Sequence, residues 1–182
     1  MPKPGFSSIC GSILAELTSV LSAAREEEVE TFLDSLRQAD AIFVTGEGRS
    51  GLVGRCFAMR LMHLGLRAHV VGETVAPALA QGDLLVAISG SGESEVTCGR
   101  AKLAAAKGAR VAAVTADANS TLAAAADVNL LLPTGMGAAS EQYGGSAFEQ
   151  ACFIALDAIA LQLQRELGRT TEEMDAAHAT VE

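Results

Sequence analysis

The sequence predicts a single α/β domain built on a doubly wound parallel sheet, and three observations predict it. Short runs of Val, Ile, Leu, Ala and Phe with no polar alternation recur at residues 41–45, 68–71, 84–88, 110–115 and 127–132, as strands buried on both faces require. Helical stretches separate them, so parallel strands joined by right-handed crossovers follow, for which the order 2-1-3-4-5 is one common solution. The 182 residues are 49% hydrophobic and 19% charged, enough for one well-buried domain spanning 1–182, with no sign of a second.

Ahead of the first strand, residues 7–37 place apolar side chains at Ile9, Ile13, Leu14, Leu17, Val20 and Leu21, then at Val29, Phe32, Leu33 and Leu36. That spacing predicts two amphipathic helices or one bent helix, capping the sheet or packing on a second subunit. The first strand runs into Gly46-Glu47-Gly48-Arg49-Ser50-Gly51, and a helical pattern over 52–64 ends at Gly65. A Gly-x-Gly after a strand can announce a nicotinamide dinucleotide site. Here Gly51 falls one residue early for that motif, and the candidate acid Glu73 lies beyond a Gly72 turn. Arg49 and Ser50 at a helix start suit a single phosphate or a sugar hydroxyl better. After the second strand, Glu73 and Thr74 read as caps of a short helical turn.

The third strand stops abruptly at Ser89-Gly90-Ser91-Gly92-Glu93-Ser94, ahead of a helix over 93–107. Glycine lets an oxyanion approach the main-chain amides, and the following helix points its unpaired N–H groups at that anion. A turn with an N-cap serine is the simpler account of any one such loop, but three serines together favour an anion site. In the predicted strand order this loop and residues 46–51 line one crevice.

Residues 117–121 cap a short alanine-rich helix, and residues 134–145 form a Gly, Ala and Ser loop long enough to be functional. The apolar helix over 146–167 carries Glu149 near its start. A carboxylate there is often a dipole partner, yet Phe148, Ala151, Cys152 and Phe153 surround it with apolar side chains, where it can act as a base. Thr170-Thr171-Glu172-Glu173 has capping-box character and opens a last short helix with Met174 and His178.

Thirteen Lys plus Arg against 22 Asp plus Glu give a formal charge of -9, which argues against nucleic acid and anionic membranes as partners. Cys10, Cys56, Cys98 and Cys152 lie more than 40 residues apart, without metal or redox spacing, and read as reduced, mostly buried thiols. No secretory signal is seen at the N-terminus, and no stretch approaches the ~20 apolar residues of a membrane span, so the expected location is cytoplasmic.

These residues resemble a known family. Gly46-x-Gly48-Arg49-Ser50-Gly51, Met59-Arg60-Leu61-Met62-His63-Leu64-Gly65, Val71-Gly72-Glu73-Thr74, Gly82-Asp83-Leu84-Leu85, Ser89-Gly90-Ser91-Gly92-Glu93, Phe148-Glu149 and Glu172-Glu173-Met174 with His178 are similar to 6-phospho-3-hexuloisomerase, one of the sugar isomerase (SIS) domain proteins. The match covers nearly the whole chain. Departures from the usual pattern are Glu47 for a small residue, Ser94 for threonine, and an ending that keeps the histidine and the terminal Glu182.

The resemblance implies a SIS, flavodoxin-like fold and reversible conversion of D-arabino-hex-3-ulose 6-phosphate to D-fructose 6-phosphate, in the ribulose monophosphate route of formaldehyde assimilation or its reverse. It implies no cofactor or metal, and a homotetramer whose active sites are built by more than one subunit. Glu149 is the implied base and His178, supplied by a neighbouring chain, a proton shuttle between the oxygens. Ser50, Ser89, Ser91 and Ser94 would hold the phosphate, with the amides around Gly90 and Gly92 completing the cradle. Arg49 would complement the phosphate, polarise an enediolate oxygen, or form a surface or intersubunit salt bridge. Alternatives are another aldose-ketose isomerase of the SIS type and a non-catalytic sugar-phosphate-binding module; a nicotinamide oxidoreductase is disfavoured by the displaced glycine.

Overall fold

Alternation along each strand, invisible in uniformly apolar runs, sorts the side chains onto two cores. A computed structural model of the chain describes residues 4–134, 140–178 and 180. Its elements are α1 (Phe6–Ser22), α2 (Glu26–Gln38), β1 (Ile42–Gly46), α3 (Gly48–His63), β2 (Ala68–Val70), β3 (Leu84–Ile88), α4 (Glu95–Ala106), β4 (Arg110–Thr115), α5 (Thr121–Ala125), β5 (Val128–Leu131), α6 (Ser146–Glu166) and α7 (Thr171–Ala176). The five strands are parallel in the order β2-β1-β3-β4-β5.

Ile42, Val44, Leu84, Val86 and Ile88 point to one side, where Leu17 and Val20 of α1, Phe32, Leu33 and Leu36 of α2, Phe57 and Leu61 of α3, and Leu156, Ile159 and Leu163 of α6 close the larger core. Phe43, Leu85, Ala87, Val111 and Ala113 point to the other, covered by Cys98, Ala101 and Ala104 of α4 and Leu122 of α5. The side chains that α4 contributes to this second layer are small.

Several boundaries differ from the sequence reading, each for a local reason. The N-terminal segment is two helices, bent by 78° between α1 and α2. Helix α3 begins at Gly48, so Arg49, Ser50 and Gly51 form its first turn instead of a loop. A Cβ on Gly51 would lie 2.5 Å from the Gly46 carbonyl oxygen, so glycine there lets the helix start directly against the strand end. Helix α4 starts at Glu95 because the Ser94 hydroxyl oxygen accepts the Thr97 N–H. Glu73 opens a single turn, its carbonyl accepting the Ala76 N–H at 3.0 Å, but its carboxylate pairs with Arg55 of α3 at 2.8 Å. The capping box at Thr170 and Glu173 is present.

Helix α6, contrary to expectation, is long and apolar enough to cross a membrane by length and composition alone. Its apolarity has another use, since it packs on α3 and α1 and contributes its buried side to the larger core. The four cysteines are unpaired; only Cys98 and Cys152 are buried, Cys10 is half-buried and Cys56 exposed. Part of the Gly, Ala and Ser loop (135–139) and of the chain end (179, 181 and 182) lie outside the described residues.

Candidate active site

The site is assembled where β1 and β3 end side by side. Gly46 is level with Ile88, so the first turn of α3 and the loop from Ser89 leave the same carboxyl edge together. Helix α3 has no side-chain cap at its N-terminus, which leaves its first amides available to a ligand. Arg49 is exposed there and Ser50 is buried.

In the neighbouring loop the three serines accept hydrogen bonds from the chain itself. The Gly92 N–H donates to Ser89 Oγ at 3.2 Å, the Glu93 N–H to Ser91 Oγ at 3.2 Å, and the Thr97 N–H to Ser94 Oγ at 3.4 Å. Each serine keeps its own O–H proton to donate, which suits an acceptor-only ligand such as a phosphate. Gly92 turns the loop at φ +65°. The loop's carboxylate is turned to another use: Glu93 accepts the Thr121 N–H at 2.7 Å and the Thr121 hydroxyl at 2.8 Å. Those bonds, the backbone one foremost, hold the Glu93 carboxyl below its ordinary range.

Helix α6 joins the site through Gly90. A Cβ at Gly90 would come within 2.9 Å of the Phe148 ring, so only glycine lets the α6 terminus approach this closely. The next residue is Glu149, its side chain 15% exposed, and Arg49 Nε donates to its Oε2 at 2.5 Å. The surroundings are apolar on the inner side only, where Phe148, Ala151 and Cys152 are buried; Phe153 is exposed. Burial, and then the nearby Glu149 carboxylate, push the Cys152 thiol up, so it stays protonated and unreactive. Beside the Arg49–Glu149 pair opens a cleft of about 520 Å³ walled by Leu17, Leu52, Val53, Gln150 and Ile154.

A SIS domain matches residues 35–162. Proteins named 3-hexulose-6-phosphate isomerase from Mycobacterium gastri and Bacillus subtilis are 40% and 37% identical over 172 and 179 residues, spanning 92% and 93% of this chain and 86% and 95% of their own. The chain belongs to the SIS domain family. A solved structure from Methanococcus jannaschii, taken to infer a 3-hexulose-6-phosphate isomerase function, superposes on this SIS domain with a TM-score of 0.83 at 31% identity, over 96% of this chain and 97% of that one.

Of the residues the sequence singled out in this SIS domain, Arg49, Ser50, Ser89, Gly90, Ser91, Gly92, Ser94 and Glu149 lie on the three segments that meet. His178 does not join them within the chain. Its ring stacks on that of His63, centroids 4.7 Å apart, and His63 closes the far end of α3. Fourteen residues of helix separate His63 from Arg49, about 21 Å at 1.5 Å per residue. The sequence reading gave no role to Arg100, which reaches from α4 to Thr45 and Glu47 at the end of β1. No local pattern could have found it, since the partners are 55 and 53 residues away.

Proposed function

We propose that this SIS domain is a 3-hexulose-6-phosphate isomerase, interconverting D-arabino-hex-3-ulose 6-phosphate and D-fructose 6-phosphate. The meeting of the Ser89–Ser94 loop with Glu149, through the contact of Gly90 with Phe148, is the observation that carries the reading. It supports a reading in which the serine loop holds the phosphate and the residue after Phe148, Glu149, acts on the sugar carbons.

Moving the carbonyl from C3 to C2 requires taking the C2 proton, holding an enediolate and returning a proton to C3. One carboxylate near both carbons does this, typically for a 10²–10⁴-fold gain. Glu149 is the base in this reading, and Arg49, already bonded to it, offers its guanidinium to an enediolate oxygen. Ser50, Ser89, Ser91 and Ser94 hold the phosphate together with the amides of the loop and of the α3 and α4 termini. Gln150 Oε1 is buried without a hydrogen-bond partner beside the base, an acceptor that a sugar hydroxyl would satisfy.

His178 completes the site from a neighbouring copy in a homotetramer. Two features support this: its distance from Glu149 in its own chain, and the exposed apolar side chains Leu52, Phe153 and Ile154 around the cleft. The ribulose monophosphate route is the metabolic setting in this reading. Location in the cytoplasm follows from the substrate, because a phosphorylated sugar does not cross a bilayer unaided.

The test is incubation of the purified protein with a panel of phosphorylated ketoses and aldoses. Fructose 6-phosphate should form from the 3-hexulose 6-phosphate and from no aldose at a comparable rate. Turnover of an aldose phosphate in its place would reassign the enzyme within its family, and binding without turnover of any member would make it a sugar-phosphate sensor.

A further inference from the structure

Glu47 poses an electrostatic problem for a phosphate site. It occupies the N-cap of α3 between Gly46 and Gly48, with its side chain 48% exposed, and Gly46 is level with the residue before Ser89. A full negative charge at that helix end opposes a phosphate dianion approaching the same amides. Arg100 meets it. Projecting from α4, Arg100 Nη1 donates to Glu47 Oε1 at 2.6 Å and to Thr45 Oγ1 at 2.9 Å, and Thr45 is buried at the end of β1. One guanidinium thus ties the β1–α3 turn to the helix whose N-cap, Ser94, ends the serine loop. A polar cleft of about 350 Å³ opens here, with Glu47, Gly48, Arg55 and Arg100 among its walls. Arg55 is engaged by Glu73, which leaves Arg100 as the cation that answers Glu47 among the described residues.

We infer that Arg100 is a positioning residue for phosphate binding: it neutralises Glu47 and fixes the β1–α3 turn against α4, so that the two substrate loops receive the anion without repulsion from a carboxylate of their own. The inference rests on the proposed placement of the phosphate between those loops.

Arg100→Met, Glu47→Gln and the double variant test it, with calorimetric binding of inorganic phosphate and of fructose 6-phosphate alongside isomerase kinetics on the full chain. Arg100→Met should weaken both ligands and raise KM by about tenfold with kcat within about twofold, an effect that shrinks as salt screens the exposed carboxylate. Adding Glu47→Gln should restore binding to within about threefold of the parent, because the repelling charge is gone. Unchanged affinity in Arg100→Met overturns the inference. So does a double variant as weak as Arg100→Met, which would leave Arg100 only its contact with Thr45. Should the methionine variant fail to fold, Glu47→Gln alone decides: retained or tighter phosphate binding supports the inference, and weaker binding overturns it. If the parent binds phosphate but isomerises no hexulose phosphate, the proposed function fails while the phosphate affinities still judge Arg100.

Discussion

Glu149 and Arg49 form the one ion pair that joins α6 to the first turn of α3, and its two halves answer to different tests. Glu149→Gln should abolish exchange of the C2 proton with solvent, lowering kcat by about 10²–10⁴-fold, while phosphate binding persists. Retained exchange, followed by proton NMR in deuterated water, would remove Glu149 from the role. Gly90→Ala addresses the approach of the two segments. Its new methyl meets the Phe148 ring, so it should cost about 1–3 kcal/mol in thermal unfolding and reduce kcat more than it reduces phosphate affinity. At this scale the serines and Glu149 were legible because a run of hydroxyls with glycines and a lone acid among apolar neighbours are local signals. Arg100 and Glu47 were not, because their meeting depends on the sheet placing β1 beside β3.

Among the elements, α4 and α5 are linked through the serine loop by Glu93, whose carboxylate takes the first amide of α5. Because its folded-state pKa lies below the ordinary value of 4.5, Glu93 stabilises the fold above that pH, and this contribution is lost as the pH falls through the lower folded value. Glu93→Gln should therefore melt at a lower temperature than the parent near neutrality, with the difference closing as the pH is taken down through 4.5 and below. A difference independent of pH would mean that the hydroxyl and amide contacts, not the charge, hold α5. The five strands were readable because parallel strands covered on both faces carry few polar positions and no polar alternation. The start of α3 was not, since Gly48 and Gly51 disfavour helix and it is the fit of Gly51 against Gly46 that begins it there.

For the whole molecule, the apolar side chains left uncovered on α1, α3 and α6, with Leu14 and Leu52 each 62% exposed, form the surface on which assembly is expected. Sedimentation velocity should give a tetramer, and Leu52→Glu should dissociate it and lower activity together. Mixing subunits of Glu149→Gln with those of His178→Ala should regain activity in about a quarter of the sites, if each site draws these residues from different chains. No recovery on mixing would return His178 to a structural stack on His63. The sequence by itself determined five parallel strands, for which the observed order was one common solution, and marked the two glycine and serine segments and the acid near the start of α6 as candidates, because periodicity, turn chemistry and crossover handedness act over short stretches of chain. Only the tertiary structure decided that Arg49 holds Glu149, that Arg100 answers Glu47, and that His178 lies a helix length from the base in its own chain. Contacts between side chains far apart in sequence are fixed by how layers pack, and packing leaves no mark in local pattern.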